Sequence, residues 1–235
     1  MIKISIIIPV YKELNNIEKL SLKIQKYLKN TTYEVIFVDD SSNDGSKELL
    51  KKINKKYKNF NYIVRKKNRD LSQSCFEGIE KAKYDYIQIM DGDLQHNPKY
   101  IKNLIETLTI NNSDLVVGGR NLINGNNPGL GFVRRIFSIL IIFTFYLFGK
   151  KTIDPMSGFF LFKKKIYYRN KKYFFGKGYK ILADILFNTK SEIKVNDYII
   201  IFDRRFKDKS KMNYKTLINL AKLYLVVLKN KIFFN

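Results

Sequence analysis

Two aspartates one residue apart, Asp91 and Asp93 in "IQIMDGDLQHNP" (residues 87–98), follow an apolar run in a chain whose formal net charge is +23. Gly92 between them lets the backbone turn sharply and aim both carboxylates at one point. Hard divalent cations take oxygen ligands, and Mg²⁺ in particular uses one or two carboxylates completed by substrate phosphates. Helix capping is the competing role for such aspartates. Asn97 followed by Pro98 already supplies an N-cap and an N1 proline, however, so metal–phosphate binding is the stronger reading. His96 is the only histidine. It either supports the metal or the leaving phosphate, or it is a structural hydrogen-bonding residue, and the structural role is slightly favoured. Gln95 has a neutral oxygen to offer a metal, but spacing alone does not assign it one.

Asp39 and Asp40 close a second apolar run, "YEVIFVDD" (33–40). A carboxylate there accepts hydrogen bonds from a base or a ribose hydroxyl, as acidic residues do in dinucleotide folds. The following "SSNDGS" (41–46) reads as a turn and helix cap. Three basic clusters remain: Arg120; Arg134 and Arg135; and Arg204, Arg205, Lys209 and Lys211. Any one of them is ordinary solvated charge. Together they supply partners for a diphosphate and a second phosphate. Only eight of the 44 basic residues are Arg, so in this Lys-rich chain the positions that stay Arg carry more information.

The elements that must position these groups alternate. Runs rich in Ile, Val, Tyr and Phe at 3–10, 33–40, 60–66, 84–91 and 113–120 read as strands. Helical spacing fills 14–29, 45–57, 71–82 and 98–110 between them. This rhythm predicts an α/β fold, a mostly parallel sheet with helices on both faces. Ligands in such sheets bind beyond the carboxyl ends of the strands, which is where the acidic pairs and Arg120 fall. Later come a Gly-rich loop (124–132), an apolar helix (133–148), strands at 157–164 and 195–202, and a basic amphipathic helix at the end (214–234).

The totals fit this picture. A chain of 235 residues, 45% hydrophobic with four Pro, suits one medium domain, or one domain with an appendage, and excludes a disordered chain. A single Cys excludes an internal disulfide framework. No signal peptide is evident, and the run 136–149 is too short to span a bilayer, which takes about 20 residues. The basic charge invites an acidic partner.

In order, "SIIIPVYKE", "VDDSSNDGS", "MDGDLQHNP", "GGR", "DPMSGFFLFKK" and "RRFKDKSKM" resemble the motifs of the dolichol-phosphate mannose synthase group. These are inverting GT-A glycosyltransferases, with a Rossmann-like fold, that move a sugar from a nucleotide-sugar to a polyprenyl phosphate. The resemblance spans about residues 3–212. It implies a catalytic domain at 1–212 and a basic amphipathic helix at 213–235 that meets a membrane surface. By position it implies that Pro9, Tyr11, Glu13, Asp39, Asp40 and Asp91 hold the nucleotide-sugar. Asp91, Asp93 and Gln95 are implied to bind Mg²⁺ or Mn²⁺. Arg120, Arg134, Arg205, Ser210 and Lys211 are implied to contact phosphates, and "DPMSG" (154–158) to line the acceptor side. The implied catalytic set is Asp93, Arg120, Arg134 and Arg205. Asp70 and Asp208 stand where relatives commonly carry Gly.

The expected partners are a nucleotide-sugar, GDP-mannose favoured, a polyprenyl phosphate and an anionic membrane surface. The expected location is peripheral, on the cytoplasmic side of the membrane, and no nucleic acid is expected. A UDP-sugar transferase acting on polyprenyl phosphate or on a surface polysaccharide is the alternative, with Asp154 or Asp184 as the base that a hydroxyl acceptor needs. A basic nucleic-acid-binding module is a distant third.

Overall fold

A computed structural model describes residues 2–66, 69–120, 152–178 and 180–203. Seven strands among them form one sheet: β1 (Lys3–Val10), β2 (Thr32–Asp39), β3 (Phe60–Val64), β4 (Tyr86–Ile89), β5 (Leu115–Gly119), β6 (Phe160–Lys163) and β7 (Val195–Ile199). Their order is β3-β2-β1-β4-β6-β5-β7. β2 and β4 flank β1 in parallel, β3 continues parallel to β2, and β7 runs parallel to β5. β6 alone is inserted antiparallel, between β4 and β5. The chain proceeds outward from β1 to β3 and then returns to β1's other side with β4. The crevice beyond β1 and β4 is therefore the topological switch point, where open α/β sheets bind ligands.

Both sheet faces are covered, and the strands are accordingly near-continuous apolar runs. On one face Ile4, Ile6 and Ile8 of β1 pack with Ile17, Leu20 and Ile24 of α1 (Leu14–Tyr27), Leu50 and Ile53 of α2 (Ser46–Lys56), and Leu104 and Leu108 of α4 (Ile101–Ile110). On the other, Ile7 packs with Cys75 and Ile79 of α3 (Leu71–Lys81), Ile166 of α5 (Lys165–Asn170), and Leu182 and Ile185 of α6 (Ile181–Asn188). Cys75 is fully buried and burial pushes its thiol well up, which makes it an inert packing residue.

The expected strands and helices of the first half stand within a few residues. Three details differ. The helix expected from residue 98 opens as a single 3-10 turn, Pro98–Tyr100, before α4, although Asn97 caps it as expected: its Oδ1 accepts the Lys99 N–H at 3.1 Å. The strand expected over 195–202 ends at Ile199. The short helices α5 and α6 carry no long periodic pattern. The Gly-rich loop 124–132, the helices 133–148 and 214–234, and the C-terminal helix 213–235 lie outside the described residues. Among the described residues no helix is long and apolar enough to cross a membrane.

Candidate active site

The acidic turn sits at the switch point, and Asp91 is two residues past the end of β4. Its left-handed residue is Leu94, at φ 65°, rather than Gly92. Gly92 is required for a different reason than the sharp turn expected of it. A Cβ there would stand 2.9 Å from Val10 Cγ1, so the turn lies directly on the end of β1 and 3.7 Å from Glu13 Cγ. Within the turn, Asp93 Oδ1 accepts the Gln95 N–H at 3.1 Å. The Asp91 N–H donates to His96 Nδ1 at 3.0 Å. The backbone of the 154–158 segment leans on the same carboxylate, since a Cβ on Gly158 would be 2.8 Å from Asp91 Oδ2.

Asp91 and Asp93 are half-exposed at an open edge. Among the described residues no third His, Cys, Asp or Glu side chain completes a metal-binding group with them. This donor set, two hard carboxylates with the remaining positions open, fits a divalent cation that shares its coordination with phosphate oxygens.

The end of β2 divides its two aspartates. Asp39 is fully buried. Its Oδ1 accepts the Ser42 N–H at 3.2 Å and the Ser42 hydroxyl, while Oδ2 has no partner among the described residues. A buried acceptor without a donor is costly, and a ligand N–H or O–H at this edge would relieve it. Asp40 is committed elsewhere: Oδ1 accepts from Arg65 and Oδ2 from the Asp70 N–H at 2.7 Å. Arg65 is itself buried, with Nε 3.0 Å from Glu77 Oε1 and Nη1 donating also to the Asp70 carbonyl and Ser74 Oγ. Burial pushes the Asp40 carboxyl above its ordinary value, and attraction to Arg65 offsets that only in part.

Asp70, in the place of a common Gly, has a defined structural job. Its Oδ1 caps α3 by accepting the Gln73 N–H, and its Oδ2 accepts the Gly178 N–H at 2.7 Å. Beside this cluster the Arg69 guanidinium lies 4.4 Å from the centre of the Tyr11 ring, within cation–π range.

On the other flank, Arg120 follows β5 directly. Its Nε and backbone N–H both point to Asp154 Oδ2 at 3.4 Å, and its guanidinium lies 4.5 Å over the Phe202 ring. Asp154 is buried, and its Oδ1 has no partner among the described residues. Asp184 is not placed to act as a base. Its oxygens accept the Phe175 and Gly176 N–H groups and Asn188 Nδ2, closing a loop against α6. The described chain ends beside the acidic turn, where the Asp203 N–H donates to the Gln95 carbonyl at 3.0 Å.

Thus the structure gathers Pro9, Tyr11, Glu13, Asp39, Asp40, Asp91, Asp93, Gln95 and Arg120 at one sheet edge. Arg134, Arg135, Arg204, Arg205, Lys209, Ser210, Lys211 and Asp208 lie outside the described residues. Sequence reasoning did not single out Arg65, Arg69 or Phe202. For the two arginines a signal existed, in being Arg at all in a Lys-rich chain; for Phe202 none did.

The model of the family described as Glycosyl transferase family 2 matches residues 5–170. A dolichol-phosphate mannosyltransferase of Pyrococcus furiosus is 34% identical over 218 residues, covering 92% of this chain and 60% of that protein. The chain thus spans about three fifths of the archaeal relative. The dolichol-phosphate mannosyltransferase of Saccharomyces cerevisiae is 32% identical over 232 residues, covering 92% of this chain and 84% of that one. Among solved structures, glucosyl-3-phosphoglycerate synthase from Mycobacterium tuberculosis, in complex with Mn²⁺, UDP-glucose and phosphoglyceric acid, superposes with a TM-score of 0.76. At 15% identity, over 96% of this chain and 79% of that one, the likeness is one of fold.

Proposed function

The chain belongs to glycosyl transferase family 2, and from that premise we propose that it transfers a hexose, mannose, from a nucleotide-sugar, GDP-mannose, to a polyprenyl phosphate with inversion. The observation that carries this reading is the pairing, on one sheet edge, of the Asp91–Asp93 turn with the Arg120 guanidinium. The two share one aromatic neighbour, since Phe202 lies 4.9 Å from the His96 ring of the turn and 4.5 Å from Arg120. An anionic turn that recruits a cation and a fixed guanidinium suit a substrate pair that brings a diphosphate and a monophosphate together.

In the proposed reaction an acceptor phosphate oxygen forms a bond to the anomeric carbon, and the bond from that carbon to the diphosphate oxygen breaks. The electron pair leaves with the nucleoside diphosphate. Asp91 and Asp93, with Gln95 beside them, would hold a divalent cation, Mg²⁺ or Mn²⁺, which would neutralise the developing negative charge. Asp39 Oδ2 accepts from the nucleoside, and Tyr11, Pro9 and Glu13 shape the same pocket. Asp40 acts at one remove, tying β2 to Arg65. Asp154 orients Arg120 toward phosphate, and Arg134, Arg205, Ser210 and Lys211 complete the phosphate contacts. The acceptor is already an anion near neutral pH, so no general base has to be found among the carboxylates. The catalytic domain is 1–212, and 213–235 together with 133–148 meets an anionic membrane surface from the cytoplasmic side, as a peripheral protein.

The deciding experiment is a thermal-shift panel with GDP-mannose, UDP-glucose and UDP-N-acetylglucosamine, each with Mn²⁺ and with chelator, followed by transfer to polyprenyl phosphate. A ligand at 100 times its Kd adds about 2.7 kcal/mol to the native state. The expected result is a Mn²⁺-dependent rise with GDP-mannose and a mannosyl-phospholipid product. A rise with a UDP-sugar alone overturns the donor assignment, and absence of lipid product overturns the acceptor. The 154–158 segment supplies a second test. Gly158→Ala forces the Asp91 carboxylate to move, and misplacement of a reacting assembly by about 1 Å can cost about 10²-fold in rate. That loss is expected in kcat/KM, with a thermal midpoint close to wild type.

A further inference from the structure

We propose that His96 is a positioning residue for the acidic turn: its neutral imidazole accepts the Asp91 backbone N–H at Nδ1 and so fixes the carboxylate that meets the cation. The inference rests on the reading of Asp91 as a metal ligand.

His96 is 2% exposed, in a slot between two aromatic rings. Its ring centre is 5.2 Å from that of Phe159, tilted by 39°, and 4.9 Å from that of Phe202, edge-on at 87°. Phe159 directly follows Gly158, whose backbone abuts Asp91 Oδ2. Phe202 belongs to the segment that pins the turn from its far end, through the Asp203 N–H on the Gln95 carbonyl and Asn97 Nδ2 on Asp203 Oδ2 at 3.2 Å. The imidazole is therefore the wedge between two segments that hold the turn.

A nitrogen that accepts from a backbone N–H carries no proton of its own, so the ring proton resides on Nε2. In that tautomer the 3.6 Å approach of Nδ1 to Asp91 Oδ2 is not an ion pair. The site asks for two things at once: a flat ring that fills an apolar slot, and an acceptor at the δ position. Phe supplies the first and Asn the second; His supplies both. Outer-shell partners of this kind set ligand orientation, and losing one typically weakens metal binding about 10- to 100-fold.

These two substitutions separate positioning from packing. His96→Phe keeps the ring and loses the acceptor; His96→Asn loses the ring and keeps an oxygen at the δ position. Mn²⁺ is titrated into each protein in the presence of GDP and, separately, of UDP. Bound Mn²⁺ is read by electron paramagnetic resonance, and the thermal midpoint is read without metal. His96→Phe is expected to raise the Mn²⁺ Kd by about tenfold or more. His96→Asn is expected to keep Mn²⁺ affinity while losing more thermal stability than the Phe variant. Unchanged Mn²⁺ affinity in His96→Phe, or equal loss in both variants, overturns the proposal. Wild-type protein that takes up no Mn²⁺ removes the metal reading itself, and this inference with it. Should His96→Phe fail to fold, the wild type decides alone. With one histidine in the chain, a long-range ¹H–¹⁵N spectrum reports a single imidazole. Protonated Nε2 with bare Nδ1 is expected, and a proton on Nδ1 overturns the proposal.

Discussion

Asp93→Asn is expected to lower metal-dependent transfer by about 10²–10³-fold, the usual cost of removing one preorganised electrostatic partner, with little change in thermal stability. The substitution is chosen from the geometry. Asp93 Oδ1 accepts the Gln95 N–H at 3.1 Å, and an Asn Oδ1 takes over that bond, so the turn persists while its charge is lost. The loss should fall mainly on kcat, because the charge that needs neutralising grows as the sugar–diphosphate bond breaks. Raising Mn²⁺ should recover part of the rate if weakened cation binding contributes, and that recovery separates affinity from charge. Steady-state transfer assays across a Mn²⁺ series, alongside circular-dichroism melts, measure both. Turnover equal to wild type would falsify the metal role of the turn.

The positions of the acidic pairs were legible because a parallel sheet buried on both faces writes its strands as apolar runs, and the residue after each run is then at the ligand edge. "YEVIFVDD" and "IQIMDGD" announce both an element and its functional end. What the pattern does not carry is the direction of a side chain once past the strand. Asp39 and Asp40 are adjacent and chemically identical, yet one keeps a bare oxygen at the edge and the other is consumed by Arg65. The difference depends on where β3 ends, a contact 25 residues away in sequence. Gly92 was legible as necessary but not as to why, since its close approach to Val10 belongs to the β1–β4 pairing. His96 was undecided for the same reason: its acceptor role needs Asp91, and its slot needs Phe159 and Phe202 from distant segments. The antiparallel insertion of β6 was likewise invisible, because "FLFK" reads alike in either direction.

Arg65→Met is expected to destabilise the fold by about 3–5 kcal/mol, the cost of leaving one partner of a buried ion pair uncompensated. The Arg65 side chain is 1% exposed and that of Asp40 6%, so water cannot replace the lost guanidinium. Asp40 would retain the Asp70 N–H and the Ser74 hydroxyl, neither of which carries charge, and Glu77, at 28% exposed, would turn to solvent. The pH dependence identifies the mechanism. In the wild type, burial already holds the Asp40 carboxyl above its ordinary value, and Asp184 and Asp197 are raised by burial in the same sense. A carboxyl raised in the folded state binds protons more tightly there than in the unfolded chain. Its stabilising share is complete below the unfolded pKa, about 3.9, and is lost as pH rises through the folded value. Removing Arg65 raises Asp40 further, so the window widens upward and the deficit of Arg65→Met should shrink as pH is lowered toward that range. Asp184 and Asp197 are common to both proteins and cancel in the difference. Adding Asp40→Asn removes the stranded charge, and the double variant should be more stable than Arg65→Met alone at neutral pH. Urea melts of the four proteins at neutral and mildly acidic pH complete the cycle. A double variant no more stable than Arg65→Met, with a deficit flat in pH, would show that Arg65 matters through packing rather than through the charge of Asp40.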